Sequence, residues 1–207
     1  MSESNSYSIK GGNNMKKMIL LGFLVLFIPA IVYGQDKVEA PVWNIGDKWI
    51  LGGSVTIMVV NADESSYTVK YLTPAGESIL VYAKSSLNRL YSMEKDRQIP
   101  YEGRNRTLLN FPLEIGKSWK DKYDTYFERF TVLGWEEIEV PAGKYKALKL
   151  EYKQGKGEER AGRTSKEGKA WYWYSPDVKY MVKCLYERSV YWDAFYDWEL
   201  TSFELKK

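Results

Sequence analysis

The chain has 207 residues, 30 Lys and Arg against 27 Asp and Glu, a formal net charge of +3, one cysteine and no histidine. Its near-neutral balance lacks the strong basic footprint of a nucleic-acid binder and gives no support for an acidic-membrane binder. The absence of histidine removes Ser–His and Cys–His nucleophilic catalysis, a histidine general base and imidazole zinc sites, and the lone Cys184 cannot form an intramolecular disulfide.

Taken in chain order, the first feature is a secretory signal. Met15-Lys16-Lys17 is followed by an apolar run from Met18 to Tyr33 and then by Gly34-Gln35. A basic n-region, an apolar h-region and small residues at Val32 and Gly34 fit a cleavable signal peptide with cleavage after Gly34. The run is short of the roughly 20 residues a bilayer span needs, and Gly22 and Pro29 interrupt it, so no permanent membrane span is expected after cleavage. Residues 1–14 are a polar leader ahead of Met15. Residues 35–207 are expected to form a single domain, with 27 basic and 26 acidic residues and all 8 tryptophans.

That domain reads as short strands and turns. Ser54–Val60, Tyr67–Leu72 and Ser78–Ala83 form a meander, with Thr73-Pro74-Ala75-Gly76 as one of its turns. Ser85–Asp96 fits helix and strand spacing alike, and its neighbours favour strand. Residues 97–107 read as a charged loop. Tyr126–Leu133 and Trp135–Val140 precede the turn Pro141-Ala142-Gly143, and Tyr145–Tyr152 follows it. Residues 154–168, almost wholly glycine and charge, read as a mobile hairpin loop. Lys169–Tyr174, the turn Ser175-Pro176-Asp177, Tyr180–Glu187 and Trp198–Leu205 complete the pattern. The expected fold is all-β, with room for one or two short helices: a strongly curved antiparallel sheet or incomplete barrel.

Ile45-Gly46-Asp47-Lys48-Trp49 is echoed by Ile115-Gly116-Lys117-Ser118-Trp119. Glycine permits a turn and tryptophan plugs the core, a recurrent turn-and-anchor device that is a simpler account than duplication of whole units. The acids Glu136, Glu137 and Glu139 sit as a solvated strand face, while Asp193, Asp197 and Glu199 sit near a turn among aromatics. Gly155-Lys156-Gly157 lacks the strand and helix of a dinucleotide loop. Asn105-Arg106-Thr107 matches a glycosylation sequon formally but follows a bacterial-type signal. Cys184 alternates with Val182 and Tyr186 as a small buried hydrophobe. No catalytic residue, metal ligand or cofactor motif emerges.

The aromatic content rises above this background. Trp171-Tyr172-Trp173-Tyr174 puts two indoles on one strand face and two phenols on the other. Core packing accounts for one such face; the other can line a cavity or groove, and Trp171 and Trp173 are the candidate ligand-binding residues.

Three segments carry a resemblance: Phe111-Pro112-Leu113-Glu114-Ile115-Gly116-Lys117-Ser118-Trp119, Val140-Pro141-Ala142-Gly143-Lys144-Tyr145-Lys146-Ala147 and Trp173-Tyr174-Ser175-Pro176-Asp177-Val178, with Val182-Lys183 and Glu199-Leu200-Thr201-Ser202-Phe203 beyond them. Together they resemble a broad set of exported bacterial β-domain proteins of unknown function that read "VPAG-x-(Phe/Tyr)" and "WYxPxV". The resemblance implies a curved antiparallel sheet, distantly similar to the LolA- and LolB-like half-barrels, and no catalytic residues. Lys179 stands where such proteins usually carry glycine.

The combined expectation is a periplasmic or secreted, non-catalytic protein that binds a lipid or other amphipathic small molecule. The alternatives are a carbohydrate-binding or envelope-interaction module and, behind it, a carboxylate-based glycoside hydrolase. The exported protein should begin at Gln35: its intact mass should lack residues 1–34, and a mass retaining Met18–Tyr33 would mean an anchored protein.

Overall fold

Alternating side chains and tight turns give twelve strands among the described residues: β1 (Lys48–Leu51), β2 (Val55–Ala62), β3 (Ser66–Thr73), β4 (Gly76–Ala83), β5 (Arg89–Glu94), β6 (Arg97–Pro100), β7 (Ser118–Tyr123), β8 (Tyr126–Val140), β9 (Gly143–Lys156), β10 (Gly168–Ser175), β11 (Tyr180–Glu187) and β12 (Trp198–Glu204). The structure is a computed structural model that describes residues 37–95, 97–100, 107–123, 126–156, 168–187 and 197–207. The expected leader, signal and cleavage point, residues 157–167 of the expected loop, Asn105, Arg106 and Asp193 lie outside the described residues.

All strands pair antiparallel in one sheet of order β6-β5-β4-β3-β2-β1-β12-β11-β10-β9-β8-β7. Two six-strand meanders are therefore joined side by side through β1 and β12, and β6 and β7 are the edges. The sheet is strongly curled. Between β3 and β11 lie four interstrand steps, about 19 Å if the sheet were flat. Yet the hydroxyls of Tyr71 on β3 and Tyr180 on β11 are 2.9 Å apart. These side chains must lie on the inside of the curl. A second closure comes from the β8–β9 hairpin tip, where Ala142 N–H donates to Leu200 O of β12 at 3.1 Å. The Tyr145 hydroxyl donates to Ala142 O at 2.8 Å, and its ring meets Phe203 edge-on.

The interior is filled by Trp49, Ile57, Val69, Phe130, Leu150, Tyr174, Val182, Cys184 and Leu200, each essentially inaccessible to water. Burying a side chain of this kind stabilises by about 1.5–3 kcal/mol before conformational entropy is counted. Cys184 takes the buried position that strand alternation assigned to it.

The two meanders repeat one another in register. Trp49 lies opposite Ile57 and Trp119 opposite Phe130. Gly46 N–H donates to Val59 O and Gly116 N–H to Val132 O; Val59 N–H returns to Asp47 O and Val132 N–H to Lys117 O. A bulge skips Val60 between β2 and β3, and another skips Leu133 between β8 and β9. The β4–β5 ladder skips Leu90, and the β10–β11 ladder skips Val182. Even the left-handed residues correspond: Leu87 has φ 51° and Lys179 φ 60°. The Ile-Gly-x-x-Trp echo is thus the visible part of an internal duplication, not only a turn-and-anchor device. Lys179 takes a left-handed conformation that glycine adopts most readily, and its N–H donates to Pro176 O.

Several boundaries differ from the sequence reading. β1, β6 and β7 were not expected; β6 occupies the start of the expected 97–107 loop. β8 is continuous through the bulge at Leu133 rather than two strands. β9 runs on to Lys156 and β10 begins at Gly168, because Gln154 and Gly155 continue the ladder with Glu128 and Phe127. Both ends of the expected 154–168 loop are therefore strand. No helix occurs among the described residues.

Gly46 and Gly116 test the duplicated turn. At φ 94° and 85° each is in the left-handed region, so alanine should cost about 1–3 kcal/mol at either position. A Cβ at Gly46 would also stand 3.1 Å from Lys206 carbons, whereas Gly116 faces open space. Urea unfolding should find Gly46→Ala the more destabilising of the two; the reverse order would mean that Lys206 does not pack over this turn.

Candidate functional site

At one end of the curl, phenols from both meanders converge. On β3, Tyr67, Val69 and Tyr71 alternate to the inside. Tyr67 pairs with Tyr82 on β4, and Tyr82 pairs with Arg89 on β5, which places all three on that same face. Trp43 packs between Trp49 and Tyr67 with centroids 5.2 Å from each, and Trp49 stacks on Tyr180 at 5.0 Å. The indoles of Trp43 and Trp49 donate to Lys179 O and Val178 O, so the aromatic wall is anchored to the turn before β11.

The hydroxyls of Tyr71 and Tyr180 share a hydrogen bond, and Tyr82 hydrogen-bonds to Tyr71 as well. Burial pushes the Tyr71 phenol well above its ordinary range; the neighbouring Tyr180 adds to the rise, and the Arg89 charge opposes it. Tyr180 is also pushed up, again chiefly by burial. These phenols remain protonated and able to donate across the physiological pH range. The Nε of Arg89 is buried beside them.

The opposite end of the interior has a different character. Tyr152 donates to Glu128 Oε1 at 2.7 Å, and the hydroxyls of Tyr172 and Tyr186 are 2.7 Å apart. Glu128 is 4% exposed and lies opposite Asp121 in the β7–β8 ladder. Asp121 accepts the Thr107 N–H. Tyr180 and Tyr186 are six residues apart on one strand, about 20 Å, so a cationic and an acidic group mark the two ends.

Trp171 and Trp173 stand on the other face of β10, away from Tyr172 and Tyr174. Trp173 lies between Lys149 and Lys183, and Trp171 lies between Glu151 and Leu185. Trp173 is 5% exposed and donates its indole N–H to Glu136 Oε2 at 2.8 Å, with Lys149 Nζ 5.1 Å from the ring centroid. Trp171 is half-buried, with Lys169 Nζ 4.8 Å from its ring. The structure brings these two indoles together with charged groups, not with the phenol cluster.

Most of the described acids singled out from sequence have structural partners. Glu136 pairs with Lys149, Glu199 with Lys183, and Asp197 accepts the Tyr186 N–H. Glu137 and Glu139 are exposed, as a solvated face would have them. Sequence reasoning missed Tyr71, Tyr82, Arg89 and Tyr180. The alternation of Tyr67 with Tyr71 placed one of these rings on a face with Tyr67, but nothing in the sequence shows β3 meeting β11.

Fold and interior together define the class: a duplicated, curled antiparallel sheet with an aromatic inside. The chain is similar to the crystal structure of a candidate exported protein with a YmcC-like fold from Bacteroides fragilis NCTC 9343, at TM-score 0.42 and 12% identity, covering 81% of this chain and 99% of that one. It is similar to a candidate lipoprotein from Parabacteroides distasonis ATCC 8503, at TM-score 0.40 and 14% identity over 82% and 100% of the two chains. The hypothetical lipoprotein YmcC from Escherichia coli K12 follows at TM-score 0.37 and 10% identity, over 72% and 81%. No protein-family model and no curated protein matches the chain.

The Trp173–Glu136 bond makes a pH prediction. The indole N–H, and secondarily Lys149, hold the Glu136 carboxyl below its ordinary value. A depressed carboxyl contributes stability that is present above its unfolded value and lost as pH falls through the folded one. Trp173→Phe keeps a ring but removes the donor, so stability should fall less steeply between about pH 5 and pH 2 than in the parent. Urea midpoints across that range decide it, and identical slopes would show that the indole bond does not hold the carboxylate.

Proposed function

We propose that the protein is an exported, non-catalytic binding protein of the cell envelope that takes a lipid-like, amphipathic ligand on the inside of its curled sheet. The observation that supports this reading is the phenol group at Tyr71, Tyr82 and Tyr180, set with Arg89 inside an aromatic wall. Sites for amphipathic molecules combine a largely apolar lining with a few placed polar groups, and this end of the interior has both. The reading shares its logic with half-barrel lipid carriers.

A ligand meeting Trp171 and Trp173 would instead lie on the charged face and make the protein an envelope-interaction module. There it would have to displace Lys169 and Lys149 from the ring faces, which disfavours stacking of a sugar.

Two measurements test the proposal. Native mass spectrometry of the exported protein should detect a co-purifying lipid. An environment-sensitive fatty-acid probe should bind with micromolar affinity, on the order of −8 kcal/mol. The variant with Trp171→Phe and Trp173→Phe should bind as the parent does. Loss of binding in that variant with its fold intact would move the ligand to the outer face; no binding to the parent would end the carrier reading.

A further inference from the structure

We infer that Lys37–Trp43 is a releasable strap across the interior, and that its Trp43 indole is a stopper in the space the ligand's apolar chain enters. The inference rests on the proposed binding function and adds to it a way in.

Trp43 belongs to no strand, yet its ring reaches across the curl. Its centroid lies 5.2 Å from Trp49 of β1, 5.2 Å from Tyr67 of β3, 6.2 Å from Tyr82 of β4 and 5.9 Å from Tyr180 of β11. β4 and β11 are five interstrand steps apart in the sheet, about 24 Å if it were flat. One indole packs against rings from both. With it withdrawn, those four rings line a space of its own size, aromatic and apolar like the sites that take amphipathic molecules.

Apart from Trp43 itself, the strap is lightly held. Val38 forms an isolated bridge with Leu113, N–H to O in both directions at 2.9 and 2.8 Å. Lys37 pairs with Glu114 near the surface, where an ion pair contributes little. Pro41 has no N–H to donate, and Val42 is 68% exposed. Segments with few buried contacts and few ladder bonds open at the lowest cost.

The duplication shows what the fold asks of this segment. Val42 O accepts from Lys179 Nζ much as Pro112 O accepts from Lys117 Nζ, and Ile45-Gly46 matches Ile115-Gly116. Two residues before each isoleucine stand Trp43 and Leu113, the latter fully buried. A leucine therefore satisfies the frame at this position. The indole adds bulk to the interior that the frame does not require.

The test uses the exported protein and the fatty-acid probe, with the strap locked. Val38 and Leu113 exchange both backbone bonds, a pairing with Cα atoms about 5.5 Å apart that a disulfide can bridge. Val38→Cys with Leu113→Cys, made in a Cys184→Ala background, should bind the probe at least about tenfold more slowly when oxidised. Reductant should bring the rate back to within about twofold of the background protein. Trp43→Leu, the residue the second meander carries, should bind the probe about fivefold more tightly, because less of the population is occluded. If the locked protein does not fold, Trp43→Leu alone decides. Binding that is unchanged or weaker in Trp43→Leu would make the indole part of the wall and overturn the inference. Equal association rates in the oxidised and reduced forms would overturn it too. Either result, with the probe bound by the parent, leaves the carrier reading standing. A probe that binds neither the parent nor Trp43→Leu would remove the carrier reading, and the strap's role with it.

Discussion

Four residues of β1 join two halves of this molecule. Lys48–Leu51 pair with Met58–Val55 of β2 on one side and with Glu204–Leu200 of β12 on the other. A seam this short supplies few ladder hydrogen bonds, and the side chain at its centre compensates. Trp49 is completely buried, stacks on Tyr180 and donates its indole N–H to Val178 O. It ties β1 to the turn before β11 independently of the sheet ladder. Asp47, also fully buried, accepts the N–H of Asn44 and that of Lys206, so the residues before β1 and after β12 are clasped as well. The curl and the convergence of phenols from β3 and β11 follow from this junction.

The duplication separates what the fold needs from what it merely carries. The bulges after Val59 and Val132 break the ladder at corresponding places, and a bulge bends its strand and increases local twist. Matching bulges in β5 and β11 do the same farther along. Curvature is therefore written into both halves by one device. Against that shared frame the differences are informative: the half-buried Asp121 and the buried Glu128 on β7 and β8, and the half-buried Arg89 on β5. None is needed to curl or close the sheet, and each replaces an apolar residue at the equivalent position.

Much of this was legible in the sequence. Alternation in Tyr67–Leu72, Tyr145–Tyr152 and Tyr180–Glu187 located strands, and Pro141-Ala142 located the longest hairpin. β7 was not legible because Ser118–Tyr123 offers only Trp119 as a clear apolar signal amid lysines and an aspartate. β6 is four residues long at an edge, where half-exposed polar residues are the norm. The alternation of Trp171-Tyr172-Trp173-Tyr174 was visible, but which pair faces inward was not. That depends on neighbours from β9 and β11: Lys149 and Lys183 beside Trp173, Leu150 and Cys184 beside Tyr172. Contacts between strands far apart in sequence, such as Tyr71 with Tyr180, leave no periodic trace at all.

Pairing β1 with β12 also sets an order of events. Hairpins within each meander connect residues close in sequence and can form early, but the seam between β1 and β12 spans most of the domain and incurs a long loop-closure entropy. Its partner strand follows the other eleven described strands in the chain. Until then Trp49 has neither β12 beside it nor Tyr180 to stack on, and the half-built sheet exposes an unpaired strand at its middle. The rigidity of the seam therefore arrives late, after the strands of both meanders.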